Sequence, residues 1–303
     1  MVAPAAAGSA VVLTSSACPY RWSFGRSPHP CTGRPAGTRL ATVLRRGDQK
    51  MAVELALTPD SRWDIDTDGL VRAARDAGFS ALGIPAGRVN TEAAASFASA
   101  GLHCHELLAL VIAEDETATV FSAQRLAEAA AVIGARWVNA VFRVGLTDET
   151  AKVIERCAAI LAEAGAGMAV EFSPLGPVTS IRTGLEVVAA AGTDRAGLLI
   201  DTWHFFLGDS TWEDLAHVPL EQIAYIQFDD APVPESDNLM RETMHRRVMP
   251  GDGVFELDRF ASTLLDRGFD GVVSVEVLNR ELRALPVPEF ARRAYASSAR
   301  YWS

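Results

Sequence analysis

Apolar residues along the chain fall in short runs of strand length, separated by longer stretches in which they recur every three or four positions. From Val53 onward the order repeats: an apolar run, a turn, an alanine-rich amphipathic stretch that stops near a glycine, then the next apolar run. The pattern predicts strands at Val53–Leu57, Ala81–Ile84, Leu107–Ile112, Trp137–Phe142, Met168–Phe172, Gly197–Asp201, Ile223–Phe228 and Val272–Val277. Between them lie helical packing faces such as Leu70, Ala73, Ala74 and Ala77, or Val153, Ile154, Cys157 and Leu161, with Gly78 and Gly165 as stops. Eight such units over about 250 residues match the size of a (β/α)8 TIM barrel, an α/β fold whose reactive groups stand at the carboxyl ends of its strands. A doubly wound sheet would advertise a Gly-rich phosphate turn, and neither G-x-G-x-x-G nor a P-loop occurs. The interval between the seventh and eighth strands is far longer than the others, so an insertion is expected there.

Composition narrows the picture. The 303 residues are 49% hydrophobic and 22% charged, the balance of a compact soluble globule. No apolar run approaches membrane-spanning length; the stretch from Leu107 to Ala113 is strand-sized. Cys18, Cys31, Cys104 and Cys157 lack the paired spacing of a zinc site and are too sparse for a disulfide framework, so a reducing, cytoplasmic setting is expected. Residues 1–50 differ from the rest: seven basic residues, one acid (Asp48), five prolines and no apolar period. They read as a disordered or spurious extension, spurious if translation begins at Met51; an Arg- and Ser-rich, acid-poor terminus also resembles an organellar transit peptide. The catalytic domain is expected at 51–303, where 21 basic against 37 acidic residues give −16. Such a charge opposes binding to a phosphate backbone.

The informative residues are polar side chains at the tips of apolar strands, since a charge beside a barrel core is costly unless paired or metal-bound. Glu171 ends the fifth strand, Asp201 the sixth and Glu276 the eighth, while Gln227 takes the matching place on the seventh. Four oxygen donors aimed at one point, three of them anionic, call for a cation. Oxygen ligation favours Mn2+ or Mg2+, and Co2+ also fits.

The segments AVEFSP (169–174), LLIDTWHFF (198–206), YIQFDDAP (225–232), RRVMPGDGVFEL (246–257) and GVVSVEVLN (271–279) carry a family likeness. From about Val53 to Trp302 the chain resembles the xylose isomerase-like TIM barrels of the sugar phosphate isomerase/epimerase superfamily. The resemblance implies one divalent metal held by Glu171, Asp201, Gln227 and Glu276, with Gln227 standing where many relatives place histidine. It also implies an isomerase or epimerase of a keto-sugar or inosose-type polyol, with Glu171 and Glu276 moving the proton next to the carbonyl through an enediolate. A dehydratase on the same substrates shares this constellation, because the same enediolate expels water if the next carbon bears a leaving hydroxyl. The resemblance places His204 on a substrate oxygen and Arg247 over a substrate hydroxyl or acidic group, and it allows a homo-oligomer. Pro250–Gly253 reads as a turn that closes over the substrate. Further candidates are His105 and Asn139 as substrate contacts, and Trp203, Phe205 and Phe206 as pocket walls.

Two rivals stand beside this reading. The endonuclease IV type of DNA repair enzyme needs several metal-binding histidines and a basic groove, whereas the five histidines after Met51 do not fall at successive strand tips and that part of the chain carries −16. A non-catalytic ligand-binding barrel would not need all four oxygen donors.

Overall fold

The computed structural model describes residues 53–302, so the extension expected at 1–50 lies outside the described residues. Eight strands close a parallel barrel in sequence order, with β1 hydrogen-bonded to both β2 and β8. They are β1 (Glu54–Leu57), β2 (Ala81–Pro85), β3 (His103–Ile112), β4 (Trp137–Phe142), β5 (Gly167–Glu171), β6 (Ala196–Asp201), β7 (Ile223–Phe228) and β8 (Val272–Val275). Around them lie α1 (Thr67–Ala77), α2 (Thr91–Ala100), α3 (Glu116–Ile133), α4 (Asp148–Glu163) and α5 (Ile181–Ala191). The second half adds α6 (Thr202–Leu207), α7 (Trp212–His217), α8 (Leu239–Arg246), α9 (Leu257–Leu265) and α10 (Val287–Ala299). This is the (β/α)8 architecture that the alternating pattern predicts.

Helix boundaries follow from local chemistry. Asp66 caps α1 by accepting from the Gly69 N–H at 2.7 Å, and Gly78 ends it at φ 107°, a conformation that favours glycine. Leu70, Ala73 and Ala74 of the predicted face are buried against the barrel, as are Ile154, Cys157 and Leu161 of α4. The core has two layers. A large apolar layer lies between strands and helices, and a small one built around Ala56, Ala81, Ala169, Leu199 and Tyr225 forms a second buried cluster on the strands.

Strand three departs from its predicted bounds. It begins at His103, four residues before Leu107, because Ala81 and Leu82 of β2 pair with His103 and Cys104. The next paired residues are Ile84 and Leu107, so His105 and Glu106 together oppose the single residue Gly83. That is a β-bulge, and it breaks the strict alternation that would send neighbouring side chains to opposite faces. His105 and Glu106 are both fully buried, one bonded to Ser274 of β8 and the other to Thr58 just past β1. Neither contact is foreseeable from the period of the sequence.

The long connection from β7 to β8 contains α8, the Pro250–Gly253 turn and α9. Asp230, just after β7, ties this turn down: its Oδ2 accepts from the Gly251 and Gly253 N–H groups, each at 3.0 Å, and its Oδ1 from Phe255 N–H at 3.0 Å. The turn is therefore anchored to the barrel end, and α8 supplies the wall of the cavity instead. Among the described residues no helix is long and apolar enough to cross a membrane.

Candidate active site

Asp201 is both the last residue of β6 and the N-cap of α6, so one residue joins barrel and helix. Its Oδ1 accepts from the His204 N–H at 3.0 Å. The tight strand-to-helix junction swings the His204 ring over the strand ends, where Nε2 lies 2.9 Å from Glu171 Oε1. Asn139 of β4 donates from Nδ2 to the other Glu171 oxygen at 2.7 Å. Both carboxylate oxygens of Glu171 thus have fixed partners, and one ligand atom from each of Glu171, Asp201 and His204 lies within 4.8 Å of the others.

Arg247 follows α8 and is 2% exposed, where the sequence reads as a loop cation reaching toward substrate. One terminal nitrogen bonds Asp201 Oδ2 at 2.7 Å, Glu276 Oε2 at 3.1 Å and Asp229 Oδ2. Thr243 accepts from its Nε and its second terminal nitrogen at 3.1 and 2.7 Å, and its guanidinium carbon stands 5.6 Å from the Trp203 ring centre. Because Asp201 and Glu276 share one nitrogen, β6 and β8 direct their acids to the same rim. Glu276 stands one residue past β8, within reach of that point.

Four carboxylates, Glu171, Asp201, Asp229 and Glu276, against one guanidinium leave a formal charge of −3 in a largely buried cluster. The titration behaviour reflects that excess. Burial pushes Glu276 and Asp229 well above the usual carboxylate range; Arg247 opposes this, and the negative charge of Asp201 adds to it in both cases. For Asp201, burial also disfavours ionisation, but Arg247 and His204 outweigh it and hold the carboxyl below its ordinary value.

Gln227 stands in register with Asp201 on one side and Ser274 on the other, and its Nε2 donates to Glu106 Oε2 at 3.5 Å. Its Oε1 is buried with no hydrogen-bond partner. An orphaned buried acceptor is costly, and together with the uncompensated carboxylates it makes the donor set fit a divalent cation. His105 lies beneath this level: its Nε2 is 3.0 Å from Ser274 Oγ, it does not line the cavity, and burial lowers its pKa to about 3, so its ring is neutral.

Glu171, His204, Arg247 and Glu276 line a cavity of about 290 Å³ whose walls include Met240, Met244 and Leu278. That volume is near the low end for small-molecule pockets, ~300–1,000 Å³. The aromatics expected as walls lie elsewhere: Trp203 is fully buried beside Arg247, and Phe205 and Phe206 pack with Trp212 and Phe260. Three residues escaped the sequence reading. Asp229 follows the β7 tip and was readable as an acid beside it. Arg143, one residue past β4, lines the cavity and makes no ion pair among the described residues. Glu106 is turned inward only by the bulge.

A profile of xylose isomerase-like TIM barrels matches residues 52–302. The chain belongs to that family. Within it, the inosose isomerase of Halalkalibacterium halodurans is 33% identical over 132 residues, covering 43% of this chain and 46% of the relative. The 3-dehydroshikimate dehydratase of Pseudomonas aeruginosa is 33% identical over 101 residues, 33% of this chain and 16% of the relative. The chain thus spans less than half the length of these curated relatives. Among solved structures, an IolI protein with a bound zinc atom superposes with a TM-score of 0.74 at 22% identity, over 83% of this chain and 98% of the other. At that identity the likeness speaks for the fold.

Proposed function

We propose that this barrel is a divalent-metal-dependent isomerase or epimerase of a keto-sugar or inosose-type polyol. The observation that carries the reading is that Glu171 and Glu276 line one cavity of small-molecule size around a cluster with excess negative charge. Names borne by relatives, inosose isomerase among them, support the substrate class. Mn2+ or Mg2+ suits the oxygen donors, Co2+ also fits, and the zinc in the related structure supports a divalent ion of some kind. Glu171, Asp201, Gln227 and Glu276 would hold such an ion, which would supply positive charge beside the substrate carbonyl oxygen.

The chain's own residues do the remainder. Asn139 and His204 fix the Glu171 carboxylate, so its reach to a substrate carbon is set by two hydrogen bonds. One glutamate removes the proton beside the carbonyl and the other returns it to the resulting enediolate, on the opposite face in an epimerisation. Met240, Met244 and Leu278 give the cavity an apolar side.

A second reading, a dehydratase on a carboxylated keto-polyol, is favoured by Arg143. The charge of Arg247 is taken up by Asp201, Asp229 and Glu276, whereas Arg143 lines the cavity with no ion pair among the described residues and could receive a substrate carboxylate. One experiment tests both: incubation of the protein, loaded with Mn2+, in D2O with neutral and carboxylated keto-polyols, followed by NMR. Deuterium entering the carbon next to the carbonyl without loss of a hydroxyl is the expected result. Water loss from the carboxylated substrates selects the second reading, and no exchange with any of them contradicts both.

A further inference from the structure

Beneath the ring of strand-end acids lies a polar cluster that no catalytic step uses. Its centre is Glu106, fully buried, accepting from the hydroxyls of Thr58 and Tyr225. Thr58 also pairs with Ser274 at 2.6 Å, and Ser274 with His105 at 3.0 Å. A buried glutamate is unusual in a small barrel core, and the fold makes specific room for this one. The β3 bulge turns it inward, and the residue across from the bulge is Gly83; a Cβ there would stand 2.5 Å from Glu106 Oε1. Bulges re-aim side chains beside functional sites, and a glycine in a strand marks a close approach. Here both occur at the same place.

The third hydrogen-bond partner of Glu106 is Gln227, through Nε2 at 3.5 Å. A side-chain amide has a donor end and an acceptor end on one carbon, and either could in principle face inward. Oε2 of Glu106 already accepts from the Tyr225 hydroxyl and faces the amide nitrogen of Gln227, so the amide oxygen is the end turned away. The amide oxygen that turns away is the buried atom left without a partner.

We propose that Glu106 is the positioning residue for Gln227, holding its amide so that Oε1 is presented as a ligand for the divalent ion. A neutral amide is the weakest of the four donors, and it can rotate away, whereas the carboxylates on β5, β6 and beyond β8 are symmetric and present an oxygen in either orientation. The Gly83–bulge pair is therefore the device that makes glutamine serviceable on β7. This inference rests on the metal-binding reading above.

The test is metal affinity, measured by calorimetric titration of the full chain with Mn2+ and with Co2+. Glu106→Met removes the acceptor at similar volume and is expected to weaken binding ~10–100-fold, the usual effect of losing the partner that orients a ligand. Glu106→Gln removes the charge but keeps an acceptor oxygen, and is expected to stay within about threefold of wild type. In a Gln227→Met background, Glu106→Met should cause no further loss. The proposal is overturned if folded Glu106→Met binds as tightly as wild type, if Glu106→Gln loses as much as Glu106→Met, or if the loss persists without Gln227. Should Glu106→Met not fold, Glu106→Asp takes its place; a carboxylate withdrawn by one methylene is expected to weaken binding at least ~fivefold, and unchanged affinity overturns the proposal. If wild type itself binds neither ion, the metal-binding reading fails, and that outcome is distinct from every result on Glu106.

Discussion

Replacing Arg247 by methionine is expected to destabilise the metal-free protein by about 3–5 kcal/mol at neutral pH, the cost of leaving buried charges without their partner. The substitution leaves Asp201, Asp229 and Glu276 facing one another with no cation, while Trp203 and Thr243 lose the group packed between them. The pH dependence has a definite sign. Burial already raises Asp229 and Glu276 above the ordinary carboxylate range, and without Arg247 both rise further, so the folded variant binds more protons than its unfolded chain. Its stability therefore falls as pH rises through that interval and recovers on acidification. Asp201 acts in the same direction: in the wild type its lowered pKa contributes stability above the ordinary carboxylate range that is lost as pH falls. The deficit should be largest near pH 8 and shrink toward about pH 5. Urea unfolding of both proteins in EDTA at the two pH values checks this, and a variant as stable as wild type at pH 8 contradicts the charge accounting.

The second large effect concerns the chemistry. Glu276→Gln and Glu171→Gln are each expected to lower proton exchange next to the substrate carbonyl by about 10²–10⁴-fold, the range for removing a general acid or base. Each residue is also an expected ligand, so the comparison is made at saturating metal, where reduced affinity no longer limits the rate. Loss that persists there assigns proton transfer to the side chain. If either variant regains the wild-type exchange rate once saturated, that glutamate serves as a ligand alone.

Much of this site was legible because parallel barrels put functional groups in one place, the strand tips. Glu171, Asp201, Gln227 and Glu276 each follow an apolar run; any one such acid could cap a helix or pair with an arginine, as Asp201 does, and only their recurrence at matching depth pointed to a site. The eight strands were legible for the same reason, since each is bounded by a helical face with its own stop signal. What escaped depended on pairing between distant segments. Glu106 sits within His103–Ile112, where the polar run His-Cys-His-Glu looks like a loop before a strand. Only the register against Leu82 and Ile84 reveals the extra residue that turns it inward. Gly83 is one more small residue in the sequence until Glu106 is placed against it. Arg247 resembled a loop cation because nothing local indicates burial; its three acidic partners come from strand ends 18, 29 and 46 residues away. The Pro250–Gly253 turn read as a closing segment for a similar reason, since the Asp230 contacts that pin it are tertiary.

The central claim is that one divalent ion belongs among the acids of β5, β6 and the end of β8, together with the β7 amide. Equilibrium dialysis of the full chain against Mn2+, with elemental analysis of the protein compartment, tests it most directly. The account predicts one ion per chain in the wild type, and loss of that ion in Asp201→Asn under the same conditions. A wild-type protein that retains no ion, or an Asp201→Asn variant that binds as tightly as wild type, would contradict it.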